Sequence, residues 1–142
     1  MSTPHTTDFT VSETWLDSFG HVNNARYLEI FEQARWNWLV AGGIDSGLIR
    51  STGIGPVILE LTLRFRKELL PRQQFRIHSW CESYRKKILI IQQELRLLDA
   101  QGASDELAAE IRLTAGLMDL AERKLIDPPP EWQAGMGVEW EA

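Results

Sequence analysis

Asp17, Gly20, His21, Asn23 and Asn24 stand close together in the stretch WLDSFGHVNNARYLEIFEQAR, from Trp15 to Arg35. A carboxylate there can attack an electrophile or take a proton from water. The stretch joins an extended segment to an apolar, helically periodic one, so the acid falls beside the amino end of a helix. The first N–H groups of a helix have no intrahelical acceptor and can hold developing negative charge. Gly20 lets the backbone turn tightly and come close to a substrate. The plainer reading is that an aspartate before a helix is a cap or a solvated turn residue. His21 can orient Asp17, line a pocket or hold a structural hydrogen bond. Asn23 and Asn24 are caps first, although a cap can place the N–H groups that matter.

The elements around these residues follow from periodicity. Phe9, Val11 and Glu13 alternate with Thr10, Ser12 and Thr14, which suits a first strand. Asn23 or Asn24 caps a helix to about Ala41, with Tyr27, Leu28, Phe31, Ala34 and Trp38 at helical spacing. Few polar positions interrupt it, so it is expected to be mostly buried, and Gly42 and Gly43 end it. Val57, Leu59, Leu61, Leu63 and Phe65 form the apolar row of a second strand. Phe75 to Cys81, Leu89 to Leu97 and Ile111 to Leu117 give three more. Turns fall around Pro71, at Ser83 to Lys87 and at DAQGASDE. The tail DPPPEWQAGMGVEWEA is expected to lie irregularly over the surface. Consecutive strands with short connections are expected to be antiparallel neighbours. The fold class is α+β, one domain over 1–142: an antiparallel sheet of about five strands packed on one long helix.

Composition excludes several functions. The chain has 142 residues, 44% of them hydrophobic and 25% charged, as in an ordinary globular domain. Its net charge of −5 offers no overall basic field for nucleic acid or anionic lipid. No apolar run is long enough to span a membrane. The segment MSTPHTTD lacks a leader pattern, and the single cysteine, Cys81, fits a reducing compartment, so a cytoplasmic location is expected. His5, His21 and His78 are the only histidines. None has metal-ligand spacing, so no metal is expected. No G-x-S-x-G occurs to suggest a serine nucleophile.

DSFGHVNNARYLEIFEQAR resembles the 4-hydroxybenzoyl-CoA thioesterase group of the hotdog superfamily. There an Asp-x-x-Gly turn, often continuing His-Val-Asn-Asn-x-x-Tyr, opens a central helix. LTLRFRKELLP resembles the family's second strand and turn, IHSWCES its third strand, and AAEIRLTAGLMDLAERKLIDPP its last strand and exit. The resemblance covers about residues 8–128, leaving 127–142 as a tail. It implies a hotdog fold, with the sheet wrapped around the helix. It also implies acyl-CoA thioester hydrolysis, with Asp17 as nucleophile or general base and helix N–H groups near Asn23 and Asn24 polarising the carbonyl. No separate cofactor is implied, since coenzyme A is part of the substrate. Homodimers or homotetramers with sites at subunit interfaces are implied too, and exposed sheet edges agree with that. Many members carry a second aspartate two residues before the catalytic one, where this chain has Trp15.

Substrate contacts are expected from Tyr27 on the helix and from cations. Arg85, Lys86 and Lys87 in the turn SYRKK can grip the phosphates of coenzyme A, although charges on a hairpin tip are as often merely solvated. Arg64 and Arg66, on the polar face of the second strand, can contact coenzyme A or a partner subunit. Glu32 is expected to pair with neighbours such as Arg35. Two rival functions remain. A hotdog hydratase or dehydratase needs a different spacing of acid and histidine. A non-catalytic acyl-CoA-binding module is the other.

Overall fold

The structure is a computed structural model and describes residues 3–142; Met1 and Ser2, part of the segment read for a leader, lie outside it. The chain runs β1 (His5–Thr10), α1 (Asn24–Ala41), α2 (Ser46–Thr52), β2 (Ile54–Phe65), β3 (Gln74–Arg85), β4 (Ile88–Leu98), β5 (Ser104–Asp119), β6 (Lys124–Ile126), α3 (Pro130–Met136) and β7 (Trp140–Glu141). The main sheet order is β1-β3-β4-β5-β2, all antiparallel, with β6 beside β5 and β7 parallel to β3. This is the curled sheet and long helix of a hotdog fold. No helix of the described residues is long and apolar enough to cross a membrane.

The core lies between α1 and the sheet. Leu89, Ile91, Leu95 and Leu97 of β4 and Ile111, Leu113, Ala115 and Leu117 of β5 point inward at alternate positions. They meet Tyr27, Ile30, Phe31, Ala34, Trp38 and Leu39 of α1. Gln93 interrupts the inner row of β4. It is fully buried, yet satisfied: its Nε2 donates to the Phe31 carbonyl at 3.0 Å and to Ser79 Oγ at 2.9 Å, while its Oε1 accepts from Arg35 at 3.1 Å. One side chain thus ties helix to sheet.

Several boundaries differ from the sequence reading. The first strand ends at Thr10, because Ser12 caps a short 3-10 turn at Glu13–Trp15. β3 runs to Arg85, so the turn before β4 is only Lys86 and Lys87, with Lys86 in a left-handed conformation. β2 does not lie beside β3. It crosses to the far edge and pairs β5. Its apolar row is therefore only partly covered: Leu59, Leu61 and Phe65 are exposed, as is Ile58 on the alternate positions, while Leu63 packs on the core. α1 is buried on one face only, with Leu28 and Val40 open to solvent. A single sheet wraps only part of a helix this apolar. Glu32 makes no ion pair with Arg35, whose hydrogen bond goes to Gln93 instead.

The tail departs most. Residues 130–136 form α3, in which Trp132 is 1% and Met136 4% exposed. Pro129 and Pro130 start this helix, where a missing N–H costs nothing. Gly42, at the end of α1, and Gly135 touch backbone to backbone; a Cβ on Gly42 would lie 2.1 Å from the Gly135 carbonyl oxygen. The Trp140 indole N–H donates to the Lys86 carbonyl at 2.7 Å and fixes the chain end on the β3–β4 hairpin.

Candidate active site

Asp17 sits in a tight loop between the 3-10 turn and α1. Leu16 and Val22 form a lone antiparallel bridge, and the Asn23 N–H donates to the Trp15 carbonyl at 3.2 Å. Inside that neck the Asp17 N–H donates to the His21 carbonyl at 2.7 Å, and the Gly20 N–H donates to the Asp17 carbonyl at 3.0 Å. Gly20 has φ +80°, while a Cβ there would meet nothing within 4 Å. Glycine is thus required by backbone conformation rather than by space.

The carboxylate is fixed by its own loop. Asp17 Oδ1 accepts the backbone N–H groups of Phe19 at 2.9 Å and His21 at 3.1 Å. Oδ2 has no protein partner among the described residues. One oxygen is therefore an anchor and the other is available for chemistry. The His21 ring turns away from the acid, and its Nε2 meets Glu68 at 2.9 Å. His21 thus helps Asp17 through its backbone rather than its imidazole.

Asn23 is the N-cap of α1, and its side chain accepts the Ala25 N–H at 2.9 Å. The Arg26 N–H returns to the Asn23 carbonyl. Asn24 is the first helical residue, and its backbone N–H has no acceptor among the described residues. No acidic residue lies in the first turn to offset the positive end of the helix. A free donor and a free carboxylate oxygen thus flank one short loop.

A surface groove of about 310 Å³ runs beside the loop, past His21, Asn24, Phe65, Arg66 and Lys67. Tyr27 lies at its base, buried, with its ring edge-on to Phe65 at 5.0 Å. Burial pushes the Tyr27 hydroxyl above its ordinary pKa and keeps it neutral. Arg66 pairs with Glu110 and Lys67 with Glu106. Arg64 is exposed and makes no ion pair among the described residues.

Arg85, Lys86 and Lys87 lie elsewhere. The Trp15 ring packs edge-on against Phe75 at 6.4 Å, so the Asp17 loop sits at the start of β3. The basic turn is at the other end of that strand, up to about 33 Å along it at 3.3 Å per residue. There Arg85 pairs with Glu141 and Lys87 with Asp127. Within one chain the basic turn and the acid do not meet.

A second concavity, of about 210 Å³, opens between α1 and the sheet near the basic turn. Trp38 and Leu39 of α1, Leu89 and Leu117 of the sheet, and Trp132 and Met136 of α3 enclose it. Exposed Glu32 and Ile58 lie toward its opening beside Pro56 of the β2 edge, and Arg35, held by Gln93, lines it too. Burial lowers the pKa of Arg35, partly countered by the charge of Glu32. The sequence reading missed Phe19, Glu68 and α3. Phe19, 83% exposed beside the acid, carried no periodic signal. Trp132 and Met136 did carry one: two large apolar residues four apart, behind prolines that start helices.

Among the described residues no group of three or more histidine, cysteine, aspartate or glutamate side chains could hold a metal. A family model described as the thioesterase-like superfamily matches residues 11–136. The chain belongs to that superfamily, and its class is thioester hydrolase. It is 28% identical over 111 residues to the long-chain acyl-CoA thioesterase FadM of Escherichia coli (strain K12), covering 78% of this chain and 80% of that one. Among solved structures it resembles YbaW, described as a probable thioesterase, from Escherichia coli: 27% identity, TM-score 0.77, 92% of this chain and 97% of that one. It also shares its fold with a Staphylococcus aureus hypothetical protein solved with CoA: 17% identity, TM-score 0.83, 96% of this chain and 85% of that one.

Proposed function

We propose that this protein hydrolyses acyl-CoA thioesters to a free acid and coenzyme A, with Asp17 as the acting carboxylate. The observation that carries this is the asymmetry of Asp17: Oδ1 is held by two N–H groups, and Oδ2 has no protein partner among the described residues. Oδ2 attacks the thioester carbonyl, or takes a proton from the water that does. In either case the carbonyl oxygen gains negative charge, and in this reading the Asn24 N–H at the positive end of α1 donates to it. Collapse of the intermediate expels the thiolate of coenzyme A; on the nucleophilic route this leaves the acyl group on Asp17 as an anhydride, which water then hydrolyses to free acid and regenerated carboxylate. The groove past Arg66 and Lys67 suits the pantetheine arm and phosphates. The Escherichia coli relative and the apolar cavity favour an aliphatic acyl group.

The working unit in this reading is at least a dimer joined through β2. That strand presents unpaired backbone groups together with exposed Ile58, Leu59, Leu61 and Phe65, a pairing template that a second copy satisfies. Antiparallel pairing of β2 with its copy sets the Phe65 end of one chain beside the Ile54 end of the other. One chain's Asp17 loop then approaches the partner's apolar cavity and basic turn, which a single chain keeps apart. The test is a panel of acyl-CoAs incubated with the purified protein, with free thiol measured. Thiol release at rates well above the uncatalysed background supports the reading. Binding of acyl-CoA without release would assign the alternative, a binding module.

A further inference from the structure

We infer that α3 is the closed end of an acyl-chain cavity, and that Met136 and Trp132 set the length of chain the protein accepts. This rests on the acyl-CoA reading above and adds to it the residues that measure the substrate. The cavity is apolar apart from Glu32, which is exposed, and Arg35, whose guanidinium is already held by Gln93, so a ligand enters polar end outermost, toward Glu32. Its volume, about 210 Å³, exceeds the roughly 150 Å³ that accommodates benzene in an engineered core. It therefore takes a run of methylenes but not a whole drug-sized ligand. Pro56 and Ile58 put the rim on the β2 edge, the side from which the partner's Asp17 loop approaches in the proposed dimer.

The far wall is rigid, as a ruler must be. The contact of Gly42 with Gly135 holds α3 against the end of α1 with no side chain between them. Gln133 Nε2 donates to the Pro128 carbonyl at 2.9 Å and closes the start of α3. Trp140 anchors the segment beyond it to Lys86. Met136 and Trp132 are almost wholly buried in this wall. Chain carbons that reach them meet a boundary fixed on both flanks. Up to that boundary each added methylene tightens binding roughly fourfold, and beyond it the gain stops.

The test uses binding first, so that it does not depend on turnover. Trp36, Trp38 and Trp132 line the cavity and report occupancy by fluorescence. Straight-chain fatty carboxylates from hexanoate to palmitate are titrated into wild type, Met136→Ala and Met136→Phe. The affinity plateau should move to longer chains in Met136→Ala and to shorter chains in Met136→Phe. Beyond the wild-type plateau, a chain two carbons longer should bind Met136→Ala about fifteenfold more tightly than it binds wild type. A plateau at the same length in all three proteins, or no response from wild type, overturns the inference. The same proteins are then assayed with acyl-CoAs of matched length. A moving plateau with no hydrolysis by wild type would sink the thioesterase reading and leave the cavity assignment standing. Hydrolysis with an unmoved length preference would sink the assignment alone.

Discussion

Asp17 gains its character from a loop of backbone hydrogen bonds rather than from another side chain. Two N–H donors on Oδ1 fix the carboxylate without neutralising it, and a left-handed Gly20 makes that loop possible. Gln93 does comparable work inside the core. Gln93→Leu removes three hydrogen bonds and strands the Arg35 guanidinium and the Ser79 hydroxyl, while the Phe31 carbonyl keeps its helical N–H. Leaving buried polar groups unpaired costs about 1–3 kcal/mol each, so urea unfolding should show a loss of at least about 2 kcal/mol. Cys81 gives a pH-dependent prediction. Burial pushes its thiol up to about 12, with its Sγ donating to the Ser83 carbonyl. At pH 8 it should alkylate roughly three orders of magnitude more slowly than an ordinary thiol of pKa about 8.5. A pKa raised by folding also means stability that is full below the unfolded value and lost as pH rises. The thiol's share should fade between about pH 8.5 and 12, and Cys81→Ala should flatten that part of the curve in alkaline unfolding.

At the scale of elements, the alternation of β3, β4 and β5 and the stripe on α1 were legible because each has a buried face that fixes its period. The turn chemistry of Asp17, Gly20 and the Asn23 cap was legible too, since those residue types act locally. The position of β2 was not. Its alternating pattern marks a strand with an apolar row but not which strand it joins, and its long-range pairing with β5 leaves no local mark. α3 was missed because prolines and glycines read as loop, although Pro130 begins the helix and Gly135 is needed for contact. That contact is testable. Gly42 has an ordinary φ of −86°, so Gly42→Ala adds only a clash with the Gly135 carbonyl. Overpacking of this kind costs about 1–3 kcal/mol. Thermal unfolding of Gly42→Ala should reveal it, whereas Gly47→Ala, against only the side chain of Asp45, should cost less.

The two candidate sites lie toward opposite ends of one sheet. The acid loop and groove lie at one end; the apolar cavity and basic turn lie at the other. Arg85, Lys86 and Lys87 could not be placed from sequence relative to Asp17, because the separation is set by the length of β3 and any closure by a second chain. Lysines on the exposed β2 edge should prevent that closure. Leu59→Lys with Leu61→Lys should sediment as a monomer at micromolar concentration and lose at least about tenfold in kcat/KM for acyl-CoA. A double variant that is monomeric and fully active would show that one chain holds a complete site.

The central claim is that Asp17 performs thioester hydrolysis, and Asp17→Asn tests it most directly. The amide keeps the size of the side chain and an oxygen that can accept from the Phe19 and His21 N–H groups, so the loop should fold. It cannot act as a base or a competent nucleophile. Coenzyme A release should fall by at least about two orders of magnitude in kcat, with acyl-CoA binding retained. Near-normal turnover by a folded Asp17→Asn protein would contradict the account.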